Sequence, residues 1–181
     1  MSELIIDSFS TVDGWGFGRG SSAYFGLLGP DLEAWINERL AEPHVMVMGS
    51  NSYRAMAEIT ANGDDPTFKP MEEMPKVVFS KSLKEPLTWK NTTVVAEDVE
   101  VAVPRMKAEG DGPLRVIGSF TLARSLFRAG LVDRLRLMVF PQVLGETGEQ
   151  RILDDLPDLD LRLETTRVLD DRLVLLEYTV E

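Results

Sequence analysis

Three segments of the chain combine an apolar run with small polar residues, which is a pattern suited to holding phosphate groups. They are residues 47–52 (VMGSNS), 78–82 (VFSKS) and 116–121 (VIGSFT). The first and third run into predicted helices, whose free N–H groups and dipole favour an anion. The second has the hydroxyl and ammonium that suit a lone phosphate. Each segment alone is more often a turn or a helix cap. Together they favour a ligand with several phosphates.

A single carboxylate, Asp31, follows Pro30 at the start of the first predicted helix. There it could accept hydrogen bonds from a substrate ring or relay a proton through water. Partial burial would raise its pKa, which suits acid catalysis. The same position also suits a structural role, because a negative charge at a helix N-terminus contributes about 0.3–1 kcal/mol. Both interpretations stay open at the level of sequence.

Composition excludes several classes of function. The chain has 181 residues, 19 Lys+Arg and 30 Asp+Glu, giving a formal net charge of −11. Such an acidic chain is not expected to bind nucleic acid or anionic membranes. It has no Cys and one His, His44, so thiolate or histidine metal clusters, cysteine nucleophiles and disulfides are excluded. No apolar run approaches the roughly 20 residues of a membrane span, and no signal peptide is seen, so we expect a cytoplasmic protein without metal.

The elements that must position these residues alternate between strands and helices and then change character. Strands are predicted at residues 4–9, 45–48, 76–80, 92–96 and 114–117, with helices from Pro30, after residue 52, at 98–108 and at 121–129. Three further strands, 135–141, 159–168 and 173–180, have only loops between them. This order predicts one α/β domain over residues 1–181, with a mainly parallel sheet and antiparallel C-terminal strands. Ligands of such sheets usually bind at the carboxyl ends of strands.

Three other segments carry weaker signals. The glycines of residues 14–20 miss the dinucleotide fingerprint spacing, so this segment is predicted to be a mobile loop. Residues 60–75 are predicted as the longest loop, and Pro104 predicts a kink or a later start for its helix. The aromatic residues near the glycines suit either a lid over a ring-shaped ligand or core anchors; they are Trp15, Phe17, Tyr24 and Phe25.

Several ordered landmarks resemble those of dihydrofolate reductase-type enzymes. They are residues 11–14 (TVDG), Pro30-Asp31-Leu32 with Trp35, residues 47–53 (VMGSNSY) and residues 116–119 (VIGS). The second half is similar to a sister branch, the reductase domain of riboflavin biosynthesis, which is the C-terminal domain of a bifunctional deaminase-reductase. That similarity rests on residues 129–135 (AGLVDRL) and 140–148 (FPQVLGETG). The resemblance covers nearly the whole chain.

This resemblance implies a three-layer dihydrofolate reductase-like fold, NADPH as hydride donor and reduction of a pterin, pyrimidine or ribosylamino-pyrimidine. Carried over by position, the pyrophosphate would meet Gly49, Ser50 and Ser52, and the adenosine ribose with its 2′-phosphate would meet Ser80 and Lys81. The nicotinamide and the path to the pyrophosphate would be lined by Thr11, Gly16, Ile117, Gly118, Ser119 and Thr121. Asp31 and Trp35 would bind substrate, with Asp31 also catalytic. The riboflavin branch further implies a homodimer.

The sequence departs from the family pattern at a few positions. Ser50 stands where members usually have Arg, and Ser119 with bulky Phe120 replaces the second glycine of a usual Gly-Gly pair. Met138 stands where folate-type enzymes have Thr, which favours a substrate other than dihydrofolate. These departures leave an alternative open: a dimeric nucleotide-binding module of the same fold that has lost catalysis.

Overall fold

A large sheet organises the protein, and most of its strands lie where the sequence predicts them. The computed structural model describes residues 1–62 and 69–181. Within those residues the strands are β1 (Leu4–Thr11), β2 (Trp15–Gly18), β3 (Val45–Gly49), β4 (Lys76–Phe79), β5 (Thr92–Val95), β6 (Leu114–Ile117), β7 (Arg134–Phe140), β8 (Gly148–Arg151), β9 (Leu161–Leu169) and β10 (Leu173–Val180). The helices are α1 (Pro30–Ala41), α2 (Ser50–Asn62), α3 (Lys69–Glu73), α4 (Val99–Glu109) and α5 (Phe120–Arg128).

The strand order of the main sheet is β5-β4-β3-β6-β1-β7-β10-β9. Neighbours from β5 to β7 pair in parallel, whereas β10 is antiparallel to both β7 and β9. The prediction of a mainly parallel sheet with antiparallel C-terminal strands is therefore confirmed. None of the helices in the described ranges is long and apolar enough to cross a lipid bilayer.

Helices cover both faces of the sheet, because alternate residues of the buried strands point to opposite sides. On β3, Val47 packs in one core cluster with Val103 of α4 and Leu126 of α5. Its neighbours Met46 and Met48 pack on the other face, in a cluster that includes residues of α1, α2 and α3. The domain thus has the three layers expected from the resemblance.

The glycine-rich segment is not the loop that the sequence predicts. Its residues 15–18 form β2, which pairs antiparallel with β8 in a two-stranded ribbon. The guanidinium of Arg151 lies 4.3 Å from the centre of the Trp15 ring, and Gly148 packs so closely on that ring that a side chain there would collide with it. Strand β2 is held in place by residues of β8, about 130 positions later in the sequence. Local sequence does not reveal such a distant pairing.

Two further predictions about loops and helices are corrected. The predicted loop at residues 60–75 contains the short helix α3, and residues 63–68 lie outside the described residues. Helix α4 begins at Val99 and includes Pro104 in its interior, so the predicted late start is wrong. Pro104 is exposed while Ala102 and Val103 are buried. Packing of that buried side offsets the hydrogen bond that proline cannot donate.

Candidate functional site

The carboxyl ends of β3 and β6 open onto a cleft of about 610 Å³. The residues that follow these strands line it, and each strand leads directly into a helix: β3 into α2, and β6 through Gly118 and Ser119 into α5. The cleft is lined by Phe17, Gly49, Ser50, Asn51, Ser52, Ala55, Phe79, Gly118, Ser119, Phe120, Thr121, Leu122, Ser125 and Gln150. It therefore lies where ligands of parallel sheets usually bind.

Two helix N-termini meet at this cleft. The first-turn N–H groups of a helix have no partner within the helix, and the helix dipole favours an anion beside them. A Cβ added at Gly49 or at Gly118 would meet no heavy atom within 4 Å, so the backbone of both junctions is open to a ligand. The residues present thus fit the diphosphate of a dinucleotide, and they would hold it mainly through backbone donors.

Three hydrogen bonds join the two junctions. The Gly49 N–H donates to Ser119 Oγ over 3.0 Å, and Ser119 Oγ donates to Ser52 Oγ over 2.6 Å. Ser52 Oγ in turn donates to the carbonyl oxygen of Gly118 over 3.1 Å. Both serine hydroxyls donate their protons within this series of hydrogen bonds. The series therefore fixes the spacing of the two helix N-termini.

A second cavity, of about 370 Å³, adjoins the cleft. Gly118 and Phe120 line both spaces, so the two adjoin at the end of β6. Most of the cavity wall is apolar, formed by Phe9, Tyr24, Leu28, Trp35, Ile36, Leu40, Met56, Met71 and Ile117. Its charged wall residues are Asp7, Glu33, Arg39 and Arg115. A cavity with apolar walls and a few charged groups suits a ring-shaped organic ligand.

The Asp7–Arg115 pair of this cavity was not among the residues selected from the sequence. Arg115 Nε donates to Asp7 Oδ2 over 3.0 Å, and Nη1 donates to the carbonyl of Arg39. Arg136 pairs in register with Asp7, and its Nη1 lies 3.6 Å from Asp7 Oδ1. The sequence could have indicated this pair, because each residue is a charged position in an otherwise apolar strand. A buried charge needs a partner or a function.

A family comparison decides the identity of the domain. The model of the RibD C-terminal domain matches residues 2–175. The chain belongs to this family. The resemblance stated from the sequence, and the dihydrofolate reductase-like fold that it implies, are thereby confirmed.

One curated protein is similar to this RibD-type domain in sequence, and solved structures are similar to it in fold. The protein YyaP of Bacillus subtilis (strain 168), described as uncharacterized, is 23% identical over 180 residues, covering 97% of this chain and 93% of its own. A putative riboflavin biosynthesis protein from Shewanella sp. PV-4 superposes with a TM-score of 0.76 at 20% identity, covering 99% of both chains. A pyrimidine reductase-like protein from Corynebacterium diphtheriae has a TM-score of 0.69 at 16% identity, covering 99% of this chain and 92% of that one.

The RibD-type domain brings together most of the cofactor residues expected from the resemblance. Gly49, Ser50, Ser52, Ser119 and Thr121 line the cleft. The others lie at or beside the adjoining cavity: Gly118 lines both spaces, and Ile117 and Gly16 line the cavity, as does the expected substrate residue Trp35.

Ser80 and Lys81, expected at the adenosine ribose, do not line the cleft, although the preceding Phe79 does. Ser80 Oγ accepts hydrogen bonds from the N–H groups of Ser82 and Leu83. Lys81 Nζ lies 2.8 Å from Asp98 Oδ1, and this hydrogen bond raises the pKa of Lys81. Both side chains of the pair are exposed, so the pair is weak enough to be exchanged for a phosphate.

Thr11 also lies away from both spaces. It is buried, donates to Asp13 Oδ1 over 2.6 Å and accepts from the Trp15 N–H. Asp13 in turn accepts from the N–H groups of Leu144 and Gly145. The Thr11 hydrogen bond, helped by these two, lowers the pKa of Asp13 to about 2. In the structure, Thr11 and Asp13 anchor the β2–β8 ribbon next to the cavity.

The placement of Asp31 differs from the expectation. It is exposed rather than partly buried, and its Oδ2 accepts a hydrogen bond from the Asp170 N–H over 2.9 Å. It lines a shallow groove between α1 and β9 with Trp35 and Arg167. Residues two apart on a helix point about 200° from each other, so Asp31 faces that groove while Glu33 lines the cavity.

Proposed function

We propose that this protein is an NADPH-dependent reductase that transfers hydride to a nitrogen heterocycle: a pterin, a pyrimidine or a ribosylamino-pyrimidine. One observation carries the proposal. A cleft with two helix N-termini adjoins an apolar cavity at Gly118 and Phe120. The family membership supports it, as do the names of the fold relatives from Shewanella and Corynebacterium, which refer to riboflavin biosynthesis and to pyrimidine reductase.

In this proposal the cleft binds the cofactor and the cavity binds the acceptor ring. The first-turn N–H groups of α2 and α5 would hold the diphosphate, and the Ser52–Ser119 hydrogen bond keeps them in position. NADPH supplies the hydride when bound, so the protein needs neither a nucleophile nor a metal for that step. The apolar wall around Trp35 and Ile36 would orient the acceptor ring and keep water away from it.

Selection of NADPH over NADH is assigned to Lys81. The family arginine is replaced by Ser50, and the cleft has no Lys or Arg among its described lining residues. Lys81 stands at the end of β4, near the cleft residue Phe79, where it would exchange Asp98 for the 2′-phosphate. In titrations followed by cofactor fluorescence, Lys81→Met should reduce affinity for NADPH and leave affinity for NADH unchanged. Equal losses for both cofactors would contradict this role.

The cofactor proposal is tested by graded substitution at Gly49. A Cβ there meets no protein atom, so Gly49→Ala and Gly49→Val should fold normally while filling the cleft. NADPH affinity should fall slightly for Ala and at least about 10-fold for Val, as expected when binding loses about 1.4 kcal/mol. Thermal unfolding is the control for folding. If the unsubstituted protein binds no NADPH at millimolar concentration, the reductase proposal is refuted.

A catalytically inactive nucleotide-binding module is the second candidate, because Phe120 occupies the junction of the two spaces. A Cβ at Gly16 would lie 2.3 Å from Phe120 Cζ, and the Phe17 and Phe120 ring centres are 6.2 Å apart. These rings crowd the place where a nicotinamide would meet its acceptor. NADPH binding without oxidation on a panel of pterins, pyrimidines and flavins would favour this module.

We also infer a homodimer, formed through the edge strand β9. Its exposed apolar side chains are unusual for a free edge strand: Leu163 is 53% exposed and Val168 is 62% exposed. Light scattering after gel filtration should give twice the mass of the chain. Val168→Lys should shift the protein towards the monomer, and a monomeric unsubstituted protein would contradict the inference.

A further inference from the structure

One oxygen of the Asp7 carboxylate is buried without a donor. The hydrogen bonds from Nε and Nη2 of Arg115 both end on the other oxygen, Oδ2. Asp7 Oδ1 accepts no hydrogen bond from residues 1–62 or 69–181. Arg136 Nη1 lies 3.6 Å from it, which is beyond hydrogen-bond distance. Asp7 therefore keeps an unsatisfied acceptor, although its side chain is only 7% exposed.

The position of this acceptor connects it to the candidate site. A buried acceptor without a donor is costly, so such an atom needs an explanation. Asp7 lines the apolar cavity of about 370 Å³. It lies opposite Ile117 in the parallel pairing of β1 with β6, and Ile117 directly precedes Gly118, where the cavity meets the cleft. A ligand that donates a hydrogen bond to Oδ1 would remove the cost, and it would lie close to this junction.

The charges around Asp7 decide which kind of donor fits. Arg136 lies beside Asp7 in register, and Glu177 lies beside Arg136 with its Oε1 3.7 Å from Arg136 Nε. Together with Arg115 these residues form a row of two carboxylates and two guanidiniums, which has no formal net charge. A cationic ligand would gain no net attraction from this row. A neutral N–H donor would gain a charge-assisted hydrogen bond, which is about twice as strong as a neutral one.

Two buried donors in the same cavity wall also lack an acceptor. The Nε of Arg39 and the indole Nε1 of Trp35 make no hydrogen bond in the described part of the chain. A ligand that carries carbonyl oxygens beside its N–H offers acceptors to these donors. Cyclic amides such as the pyrimidinediones combine both groups on one planar ring, and a planar ring suits the apolar walls of the cavity.

We propose that the cavity binds a neutral cyclic amide through a ring N–H that donates to Asp7 Oδ1. The inference rests on the proposed function and narrows it, because it requires a free ring N–H in the acceptor and excludes rings whose nitrogens all carry substituents. Arg115 holds Oδ2 from two atoms of one guanidinium, which fixes the direction in which Oδ1 is presented. Asp7 is thus assigned as a binding residue for the acceptor ring.

Fluorine NMR titration of the full chain without cofactor tests the inference, since this method detects weak binding. The probes are 5-fluorouracil and 1,3-dimethyl-5-fluorouracil, which share the ring and its carbonyl oxygens, whereas only the first has ring N–H groups. The unsubstituted protein should prefer 5-fluorouracil by at least about 10-fold, as for one hydrogen bond to a charged group. Because the methyl groups also take up space, the change in this preference between variants is the decisive measurement.

Asp7→Asn converts the free acceptor into a donor. The amide oxygen would keep the bonds from Arg115, which places the NH₂ group where Oδ1 was. The preference for 5-fluorouracil should then fall below about 2-fold. If thermal unfolding shows that Asp7→Asn does not fold, Asp7→Leu/Arg115→Met gives the same readout, because apolar replacement of a buried ion pair is often nearly neutral for stability.

Glu177→Gln is the matched control. It removes one negative charge from the same row, and Glu177 is not among the described residues that line the cavity. The preference for 5-fluorouracil should therefore stay at about 10-fold or more in this variant. A general effect of charge or stability would instead lower the preference equally in Glu177→Gln and in Asp7→Asn.

Four results would overturn the inference. They are a preference below about 2-fold in the unsubstituted protein, an unchanged preference in Asp7→Asn, an equal loss in Glu177→Gln, and no binding of 5-fluorouracil at millimolar concentration. NADPH titration of the unsubstituted protein separates these results from failure of the reductase proposal. If NADPH binds and the probes are not distinguished, only the role of Asp7 fails. If the probes are distinguished and NADPH does not bind, only the reductase proposal fails.

Discussion

The buried Asp7–Arg115 pair at the cavity should be important for stability, and Arg115→Met tests this. The two side chains are 7% and 3% exposed. Removing the guanidinium deletes both of its donors to Asp7 Oδ2 and its bond to the Arg39 carbonyl. Breaking a buried pair from one side typically costs about 3–5 kcal/mol, because a buried charge is left uncompensated. Arg136 still lies 3.6 Å from Asp7 Oδ1, so we expect the lower end, about 3 kcal/mol.

The double variant Asp7→Leu/Arg115→Met separates the cost of an orphaned charge from the net value of the pair. With both charges removed, the destabilisation should be smaller than for Arg115→Met alone, since a buried pair replaced by apolar groups is often nearly neutral. The losses of unfolding free energy caused by Asp7→Leu and by Arg115→Met are therefore expected to sum to much more than the loss in the double variant.

Denaturation by urea, followed by tryptophan fluorescence, measures these differences when the slope of the transition is unchanged. The control is Arg134→Met, whose partner Glu3 is 50% exposed, and its loss should change stability by less than about 1 kcal/mol. If Arg115→Met costs no more than this control, or if the two single effects simply add, the reasoning about the buried pair is refuted.

Three further predictions concern the ribbon and the sheet. Gly16→Ala places a Cβ 2.3 Å from Phe120 Cζ and should destabilise by about 1–3 kcal/mol through overpacking; an unchanged thermal midpoint would show that the ring moves freely. The pKa of Asp13 is lowered from 3.8 to about 2, so the stability it contributes should be lost as pH falls from about 4 to 2; in acid denaturation Asp13→Asn should lack that loss, and identical pH profiles would contradict it. Lys76→Met removes the buried ammonium that donates to three backbone carbonyls, so the free energy of unfolding in urea should fall by about 2–4 kcal/mol. The control is Lys90→Met, at an exposed side chain, which should lower it by less than about 1 kcal/mol. Equal losses for the two variants would refute this.

The sequence predicted the order of the main-sheet strands and of the helices other than α3, because each of these elements has its own local signal. The apolar run of β3 and the small polar residues 50–52 are both visible within a few positions, although residues 50–52 form the first turn of α2 and not the cap that the sequence predicts before it. Helix α5 ends in a Schellman motif at Gly130, which has φ +64° and was predicted as the cap. The ribbon β2–β8 was missed, since β2 is glycine-rich and its pairing partner lies far along the chain.

Part of the candidate site could likewise be predicted from the sequence, and part could not. The junctions at Gly49 and Gly118 could be placed from sequence, because a strand that ends in small residues before a helix opens at the same edge of a parallel sheet. Which carboxylate of α1 lines the cavity depends on the rotation of that helix against the sheet, and in the structure it is Glu33 rather than Asp31. The sequence by itself therefore determined the family, the sheet and the edge at which ligands bind. Only the tertiary structure decided which charged residues of the cavity wall pair with each other, because the partners Asp7 and Arg115 are 108 positions apart in the sequence.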